Sequence, residues 1–410
     1  MKNILPQKIN GKNGFRAFLA TLCLGAFNDN VSKMVVICYG TAILGAESSQ
    51  ASTFLSLAAA CFILPYLLFS TFAGYLADRF RKKSVMIWSK AAEIVIMLIG
   101  FILAANGALY TLLAVLFFMG AQSAFFSPAK YGFLPETHDT KGLSAANGAT
   151  QLWTFIAIIF GGLVGGLLSE MCGTTHLSAA FVFCVVIAIF GTIASVFITP
   201  TTVCNAKLSF QLKDPISPHY QTLKEISKDK LLFSAFIGNT LFWFLGTVAQ
   251  LVLVLLVEIS IGGDKKLVGF LQAALGLGIG AGCAIAGRLG KGRIPYHLVL
   301  PGGIAMAASL LLMGLTGCWT ATALAFAVLT GFFGGFYQLP LSTTIQERSP
   351  IAKRGQYLAA GNALDCISMT AGSIMLWALR AMQIGPRGIL AVMGVILLAA
   401  LPFITKRLPQ

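Results

Sequence analysis

The chain has 410 residues, of which 57% are hydrophobic and 10% are charged, and its formal net charge is +15. About a quarter of the residues of an average soluble domain are charged, so this composition excludes a soluble fold, which has too little interior to bury so many apolar side chains. The basic charge alone fits either nucleic-acid binding or membrane topology signals, and the positions of the basic residues decide between them.

The chain begins with a polar, basic stretch. Residues 1–14 contain neither the apolar run nor the small-residue cleavage site of a removable secretory signal. We therefore predict an N-terminal tail that stays in the cytoplasm.

Apolar segments follow one another along the chain, separated by Gly, Pro and charged residues. Each is close to the roughly 20 residues that an α-helix needs to cross the hydrocarbon core of a bilayer. We predict twelve transmembrane helices, at residues 15–45, 51–77, 85–105, 109–127, 143–168, 178–199, 231–258, 265–288, 297–318, 320–342, 356–380 and 387–405.

One long polar stretch, residues 200–230, interrupts this pattern near the middle of the chain. Its prolines and lysines favour a loop over a membrane helix. We predict a cytoplasmic linker that joins a six-helix half at 15–199 to a second half at 231–405, with a cytoplasmic tail at 406–410.

The basic residues concentrate on one side of the predicted topology. With the N-terminus in the cytoplasm, most of the 29 Lys and Arg fall in the tails, the linker and the cytoplasmic loops, whereas Lys265, Lys266, Arg380 and Arg387 fall outside. This is the positive-inside bias of membrane proteins. We therefore predict no nucleic-acid partner, and both termini in the cytoplasm.

Motifs recur between the two halves at a nearly constant offset. Asn28 matches Asn239, and "AGYLADRFRKK" from residue 73 matches "AGRLGKGR" from residue 286. A constant offset in chain order indicates a parallel duplication, which resembles the layout of the major facilitators. We predict an all-α membrane protein with the major facilitator fold, with 12 transmembrane helices in two six-helix pseudo-repeats.

The loop after the second segment, "GYLADRFRKK" (74–83), resembles the loop signature of the major facilitators, although Arg81 stands where that family usually has Gly. A carboxylate at Asp78 can face the N-terminus of a helix from the other half, where the helix dipole favours negative charge, with Arg79 paired to it. We predict that Asp78 and Arg79 form a conformational latch. A simple positive-inside anchor is the alternative.

The first apolar segment has polar residues in its middle: Asn28, Asp29, Asn30 and Lys33. Such groups cost several kcal/mol in hydrocarbon unless they are paired or face a wet cavity. Asp29 and Lys33 are four residues apart and can neutralise one another on one helix face. Four polar groups exceed the needs of a structural ion pair, which favours a site for a polar or zwitterionic head group.

Further charged residues lie within predicted segments. Lys90 and Glu93 are near the cytoplasmic end of the third segment, where we expect them to extend to the interface as structural residues. Asp365, close to Asn362 in the eleventh segment, is either a proton site or a hydrogen-bonding partner of an adjacent helix. Coupling to protons, where it operates, would use Asp29 or Asp365.

Two segment ends have a similar sequence character. Pro128 in "SPAKYG" is expected to end the fourth segment and to place Lys130 at the cytoplasmic interface. The tenth segment contains Pro340 and is followed by Glu347 and Arg348. We predict that Lys130, Glu347 and Arg348 belong to a paired cytoplasmic gate, with interfacial anchoring as the alternative.

Enzyme motifs are missing from the sequence. The four histidines lie in separate segments and have neither metal-ligand nor catalytic-triad spacing. We predict no enzymatic activity, no catalytic residues, no metal and no cofactor.

Several motifs together are similar to those of bacterial lysophospholipid transporters: "GAFNDN" (25–30), "SPAKYGFLPE" (127–136), "LFWFLG" (241–246) and "GNA" (361–363). The likeness covers almost the whole chain and is close to the transporter modules that some bacteria fuse to an acyltransferase and an acyl-ACP ligase. It implies a monomeric flippase that moves lysophospholipid, typically lysophosphatidylethanolamine, from the outer to the cytoplasmic leaflet of the bacterial inner membrane. There a separate acyltransferase or acyl-ACP ligase would use the product.

The resemblance also implies a substrate site. Asp29, Asn28 and Asn30 would bind the amine of the head group, and Lys33 its phosphate, because Gln250 stands where comparable transporters usually have Arg. The remaining residues expected to contact substrate are Asn239 and the aromatic residues of an acyl-chain wall, Phe27, Phe242, Trp243 and Tyr337.

Two other functions remain open from the sequence. One is a proton-coupled drug or metabolite transporter, which needs a titrating carboxylate in the membrane. The other, from a different class, is a membrane subunit that presents lipid to an acyltransferase without transporting it.

Overall fold

The computed structural model describes residues 12–45, 48–107, 109–203, 205–206, 217–262, 265–316 and 319–409. Nearly all of the predicted N-terminal tail, and residues 207–216 of the predicted linker, lie outside these ranges. The described residues contain thirteen α-helices and no β-strand, which confirms the predicted all-α class.

The helices follow the predicted segments closely. In chain order they are α1 (Lys12–Leu44), α2 (Ser49–Arg79), α3 (Lys82–Ala105), α4 (Leu112–Thr137), α5 (Thr140–Cys172), α6 (Leu177–Val196), α7 (Ser217–Ile226), α8 (Lys230–Leu255), α9 (Lys265–Leu289), α10 (Val299–Thr316), α11 (Thr320–Arg348), α12 (Arg354–Ala381) and α13 (Pro386–Thr405). Twelve correspond to the predicted spans. The short, polar α7 lies in the stretch that the sequence predicted as a loop.

The surface of these helices is that of a membrane protein. Among the described residues, ten helices are long and apolar enough to cross a bilayer. The other two long helices, α1 and α12, carry the polar residues Asn28, Asp29 and Asp365 in their middle. Large apolar side chains such as Leu163 and Trp377 are exposed at the surface, which is stable only when lipid covers them.

Two helices continue past their predicted ends. Pro128 was expected to end the fourth segment, but it lies inside α4, which continues to Thr137. Pro340 lies inside α11 as expected, and that helix continues to Arg348, beyond the predicted end at residue 342. A proline removes one hydrogen bond from a helix, at a cost of about 3 kcal/mol. Burial beyond the proline offsets that cost, because Phe133 in α4 is fully buried and burying such a side chain contributes about 1.5–3 kcal/mol.

The chain forms two compact units. Unit 1 comprises the described residues of Met1–Thr137, Ile156–Tyr220 and Pro350–Ala360, and unit 2 those of His138–Phe155, Gln221–Ser349 and Gly361–Gln410. The start of α5 therefore packs within unit 2, and the start of α12 packs within unit 1. The predicted boundaries of the sequence halves stay a prediction.

The same helix packing occurs in both units. In unit 1, α2 packs against α4, α3 against α4 and α6, and α1 against α6. In unit 2, α9 packs against α11, α10 against α11 and α13, and α8 against α13. Each pair in unit 2 is seven helices further along than its counterpart, as a parallel duplication with α7 between the repeats requires.

Two glycines mark equivalent close contacts in the repeats. A Cβ on Gly74 of α2 would lie 2.6 Å from the carbonyl oxygen of Gly355 at the start of α12, within unit 1. A Cβ on Gly287 of α9 would lie 2.6 Å from the carbonyl oxygen of Ser144 at the start of α5, within unit 2. Only glycine permits this approach, so the repeated "AG" motif has a structural role in each unit.

Candidate functional site

A buried polar cluster joins α1, α3 and α4 in the interior of unit 1. The amide of Asn28 donates a 2.7 Å hydrogen bond to Oε1 of Glu93, and Gln122 donates to Oε2 of the same carboxylate at 3.4 Å. The residues that follow Asn28 on α1 and Gln122 on α4 also interact: the hydroxyl of Ser123 donates to Oδ2 of Asp29 at 2.7 Å. These contacts fix α1 against α4 around two carboxylates.

Glu93 also forms a fully buried ion pair with Lys90, one turn earlier on α3. Two glycines make room for the lysine: a Cβ on Gly25 would lie 3.0 Å from Nζ of Lys90, and a Cβ on Gly191 would lie 2.8 Å from its Cε. The interfacial placement expected for Lys90 and Glu93 was wrong. They face the bundle because desolvated charges are stable only with a partner, and α1 and α4 supply further hydrogen bonds.

Two buried acceptor atoms in this cluster have no hydrogen-bond donor in the described structure, namely Oδ1 of Asn28 and Oδ1 of Asp29. A buried acceptor without a donor costs about 1–3 kcal/mol. Such atoms are therefore suited to bind a ligand that carries N–H or O–H groups.

Asp29 and Lys33, predicted to pair, do not form a salt bridge. Among the described residues Lys33 forms no ion pair, and its Nζ lies 5.5 Å from the ring centroid of Phe62. Asn30 donates to the carbonyl of Ala26 at 2.7 Å, within α1. Of the four polar residues predicted in this segment, Asn28 and Asp29 join the cluster, because their side chains face α3 and α4.

Asp78 lies at the end of α2 and is fully buried. Its carboxylate accepts hydrogen bonds from the backbone N–H groups of Gly355, at 2.6 Å, and Gln356, at 3.1 Å, at the start of α12. Free N–H groups and the helix dipole make this terminus favourable for an anion. The contact predicted for Asp78 is therefore present within unit 1.

Arg79 does not pair with Asp78 as predicted. Its Nη1 donates to the hydroxyl of Tyr75 at 3.1 Å, and its guanidinium lies 5.7 Å from the ring centroid of Phe80. Consecutive residues of a helix point in different directions, so the Arg79 side chain is exposed while Asp78 is buried. The buried cation of this turn is Lys82, which forms a 2.8 Å ion pair with Glu136.

Lys130 was predicted to lie at the interface, but it is buried in α4. Its Nζ lies 4.7 Å from the ring centroid of Tyr131. The difference follows from the continuation of α4 past Pro128, because Lys130 then occupies the interior of a helix.

Unit 2 has a second polar cluster, which joins α8, α11 and α12. Asp365 accepts hydrogen bonds from the amide of Asn239, at 3.0 and 3.2 Å, and from the hydroxyl of Thr240, at 3.2 Å. Gln338 donates to Oδ1 of Asn239 at 3.2 Å. Asp365 therefore bonds to an adjacent helix, one of its two predicted roles, and within the described residues it has no cationic partner.

The aromatic residues expected to line an acyl-chain site differ in exposure. Tyr337 is fully buried and donates to the carbonyl of Gly238 at 2.9 Å, so its contact with substrate stays a prediction. Phe242 is also buried, next to Gly334. Trp243 is half-buried and packs edge-on to Phe242, and Phe27 packs in the same way against Phe183 in unit 1.

Gln250 is exposed and lies eleven residues after Asn239, which places it three turns along the same face of α8.

Two of the predicted gate residues lie in unit 2. Glu347 is half-buried, and Arg348 donates through Nε to Asp229 at 3.0 Å. Asp229 caps the N-terminus of α8. Partial burial opposes ionisation of Asp229, but bonds from the Leu232 N–H and from Arg348 outweigh it and hold its pKa below the usual value.

Sequence reasoning missed one buried amide pair in unit 2. Asn147 and Gln346 exchange two hydrogen bonds, of 3.0 and 2.8 Å, and both are buried. The sequence shows both amides, but a single sequence does not reveal which amides face each other. Gln122, Ser123, Thr240 and Gln338 were missed for the same reason.

The fold and these polar clusters define a polytopic membrane transporter. The chain belongs to the Major Facilitator Superfamily, whose family model matches residues 17–373. Its fold is similar to the crystal structure of the superfamily transporter FucP in the outward conformation, with a TM-score of 0.78, 13% identity, and coverage of 97% of this chain and 99% of that one.

Two relatives have names that state a substrate class. The chain is 27% identical over 390 residues to a protein of Enterobacter sp. (strain 638) named lysophospholipid transporter LplT, covering 93% of this chain and 91% of the relative. It is 28% identical over 373 residues to the protein of the same name from Serratia proteamaculans (strain 568), covering 88% and 86%. The family resemblance drawn from the sequence motifs is confirmed.

Proposed function

We propose that this protein is a lysophospholipid transporter. It moves lysophospholipid, with lysophosphatidylethanolamine as the first candidate, from the outer to the cytoplasmic leaflet of the bacterial inner membrane by alternating access. Both termini lie in the cytoplasm. The likeness to LplT proteins over nine-tenths of the chain supports the substrate class, and the positive-inside bias supports the orientation.

The observation that carries the proposal is the pair of buried acceptors, Oδ1 of Asn28 and Oδ1 of Asp29, in the interior of unit 1. An ethanolamine ammonium group carries three N–H donors and a positive charge, and both match these oxygens. A drug without a donor group would leave them unsatisfied, at the cost of desolvation.

The other predicted residues have the following roles in this proposal. Lys33 binds the phosphate, because its ammonium group forms no salt bridge within the described residues. Asp365 with Asn239 forms the polar counterpart in unit 2, and Gln250 extends that face of α8. Trp243 and Phe27 border the acyl chain, because both remain partly exposed.

Two groups of residues control the conformational change. Asp78 holds the start of α12 as a latch, with Arg79 beside it, and Lys130, Glu347 and Arg348 act as the gate. The protein works as a monomer and is not itself an enzyme. The lysophospholipid that it delivers is the substrate of a separate acyltransferase or acyl-ACP ligase.

The test is the inward movement of fluorescent lysophosphatidylethanolamine in proteoliposomes that contain the purified protein. Asp29→Asn keeps an acceptor for Ser123 and removes the charge, and we expect it to reduce the initial rate at least tenfold. Lys33→Ala should reduce the rate to a similar degree. Glu170→Gln, the same chemical change at an exposed carboxylate of α5, is the matched control and should leave the rate unchanged.

Three outcomes separate the possibilities. Fast movement that depends on Asp29 and Lys33 supports the proposal. Movement no faster than in empty vesicles contradicts it, and if the protein then binds an acyltransferase stably, the lipid-presenting subunit takes its place. Movement that is fast but insensitive to both substitutions contradicts only the assignment of the site to Asp29 and Lys33, and not the transport function.

A second candidate, a proton-coupled transporter of drugs or metabolites, is favoured by one observation. The described donors to Asp365 are neutral, so its carboxylate has no cation to keep it ionised in the membrane interior. Uptake that requires an inward proton gradient, and loses that requirement in Asp365→Asn, would support this function. Lysophospholipid movement that is equal with and without the gradient would exclude it.

A further inference from the structure

An apolar pocket opens at the surface of unit 1, between the end of α2, the start of α3 and the middle of α4. Its volume is about 350 Å³, within the range of about 300–1,000 Å³ that is usual for small-molecule sites. Its walls are mainly apolar and aromatic side chains, among them Leu76, Phe80, Val85, Trp88, Ala92 and Phe125. A hydrocarbon chain matches such walls.

The turn that borders this pocket is strongly basic. Phe80 and Ser84 line the pocket, and Arg79, Arg81 and Lys83 are each next to one of them in sequence. Arg79 and Arg81 are exposed, and the Arg79 guanidinium lies over the Phe80 ring. Within the described residues neither Arg81 nor Lys83 forms an ion pair.

The acidic residue nearest in sequence, Asp78, forms no salt bridge with Arg79, Arg81 or Lys83. Asp78 is buried, and its two carboxylate oxygens accept from the start of α12. The mouth of the pocket therefore combines an apolar slot with a surplus of positive charge at the end of a transmembrane helix. This combination suits a lipid with an anionic head group and a hydrocarbon chain.

We propose that this pocket, together with Arg79, Arg81 and Lys83, binds an anionic phospholipid of the cytoplasmic leaflet, with one acyl chain between α2, α3 and α4. The pocket shares the Gln122 side chain with the polar cluster of Asn28 and Asp29, but the apolar slot and the basic turn lie outside that cluster. The proposed site relies on the membrane orientation given above but not on the lysophospholipid substrate. The bound lipid contacts Phe80 and Arg79, next to the Asp78 contact, so its presence stabilises that end of α2.

The chain provides a direct reporter, because Trp88 lines the pocket and is 75% exposed. Of the five tryptophans, Trp88 alone is kept and the others are replaced by Phe. The full-length protein is reconstituted in phosphatidylcholine vesicles with increasing fractions of brominated phosphatidylglycerol or brominated phosphatidylcholine, whose bromine atoms quench tryptophan on contact. A second single-tryptophan protein keeps Trp377, which is similarly exposed at 72% and has one basic residue, Arg380, a turn away.

We expect phosphatidylglycerol to reach half-maximal quenching of Trp88 at a mole fraction at least tenfold lower than phosphatidylcholine. At Trp377 the preference for phosphatidylglycerol over phosphatidylcholine should be about fivefold or less, because a single nearby cation contributes about 1 kcal/mol. Arg81→Gln with Lys83→Gln should weaken the preference at Trp88 by about fivefold for each charge removed. Arg79 stays intact in this variant.

A third arm fills the pocket while keeping the charges. Ala92→Leu adds volume at an exposed position of the pocket wall, and it should abolish the preference at Trp88. If Ala92→Leu expresses poorly, Ser84→Leu fills the same pocket and tests the same expectation. Equal quenching of Trp88 by the two lipids, or a preference that the loss of both charges leaves undiminished, would overturn the proposal.

Brominated lysophosphatidylethanolamine is the final comparison. Weaker quenching of Trp88 by this lipid than by phosphatidylglycerol supports a separate anionic site. Stronger quenching would make the pocket part of the substrate path and overturn the proposal. Because this assay measures binding and not transport, its failure is distinguishable from failure of the transport function.

Discussion

Gly74 of α2 and Gly355 of α12 touch through their backbones. A Cβ on either residue would lie 2.4–2.6 Å from the carbonyl oxygen of the other, which is closer than side-chain atoms tolerate. Gly74 precedes Asp78 by four residues, so both lie on the same face of α2. The close glycine contact thereby brings the start of α12 within hydrogen-bonding distance of the Asp78 carboxylate.

The first prediction concerns this contact. Gly74→Ala should separate α2 from α12, lengthen the bonds from Gly355 and Gln356 to Asp78, and destabilise the protein by about 1–3 kcal/mol. Thermal unfolding in detergent and the initial transport rate measure the effect. Gly246→Ala is the control, because a Cβ there meets nothing within 4 Å. It should leave the transport rate unchanged and the stability equal or higher, since alanine favours a helix over glycine by up to about 1 kcal/mol. Unchanged values in Gly74→Ala would contradict the contact.

The second prediction concerns the charge of Asp78. Asp78→Asn retains one acceptor oxygen but loses the charge that interacts with the helix terminus, at an expected cost of about 1.5 kcal/mol or more. Asp139→Asn removes a charge that also accepts a backbone bond, from Gly142, but at an exposed position, and should cost less than about 0.5 kcal/mol. If Asp78 is a latch, its variant will also expose a cysteine introduced at Gln356 to a water-soluble maleimide. Equal labelling of this cysteine with and without Asp78→Asn would argue against the latch role.

The third prediction concerns the buried ion pair of Lys90 and Glu93. Removing one partner leaves a buried charge uncompensated, so Glu93→Gln and Lys90→Met should each destabilise unit 1 by about 3–5 kcal/mol. The double variant should regain most of that stability, because neither charge of the pair is then left without its partner. Thermal unfolding of the four proteins gives the coupling free energy. Additive losses would show that the two charges do not interact.

The fourth prediction concerns the amide pair of unit 2. Asn147→Ala leaves the amide of Gln346 buried without its two partners, at an expected cost of about 1–3 kcal/mol. Replacing both residues by Leu should cost less than the single change, since no polar group is then left unsatisfied. Thermal unfolding again provides the measurement, and a double variant that is less stable than Asn147→Ala would be the contrary result.

The fifth prediction is a pH dependence at the N-terminus of α8. The pKa of Asp229 is held below its usual value, so its ionised form stabilises the folded state above the unfolded pKa of about 3.9. That contribution is lost as the pH falls through the lower folded pKa. Asp229→Ala should cost about 1 kcal/mol at neutral pH through loss of the cap, with a smaller difference from the natural protein at pH 3. A difference that stays constant from pH 7 to pH 3 would rule out the ionised cap.

Much of the fold follows from the sequence because membrane helices are specified locally. Each apolar segment must satisfy its own backbone hydrogen bonds within the bilayer, so length and hydropathy identified the twelve long helices. The offset between Asn28 and Asn239 identified the repeat. The interaction of Asp78 with a distant helix start was also predictable, because the sequence motif and the helix dipole point to the same partner type.

Other features were decided by tertiary packing. Pro128 does not end α4, because burial beyond it outweighs one lost hydrogen bond. Lys33 and Asp29 satisfy the spacing of an ion pair, yet Ser123 takes the Asp29 carboxylate, and Arg79 turns away from Asp78 to Tyr75.

The sequence by itself thus determined the fold class, the repeat and which residues carry charge into the membrane. The tertiary structure alone decided which of those charges meet: Lys90 and Glu93 lie among Asn28, Gln122 and two glycines of other helices. The physical reason is that helix formation depends on neighbours along the chain, whereas the partner of a desolvated charge depends on which helix faces are packed together.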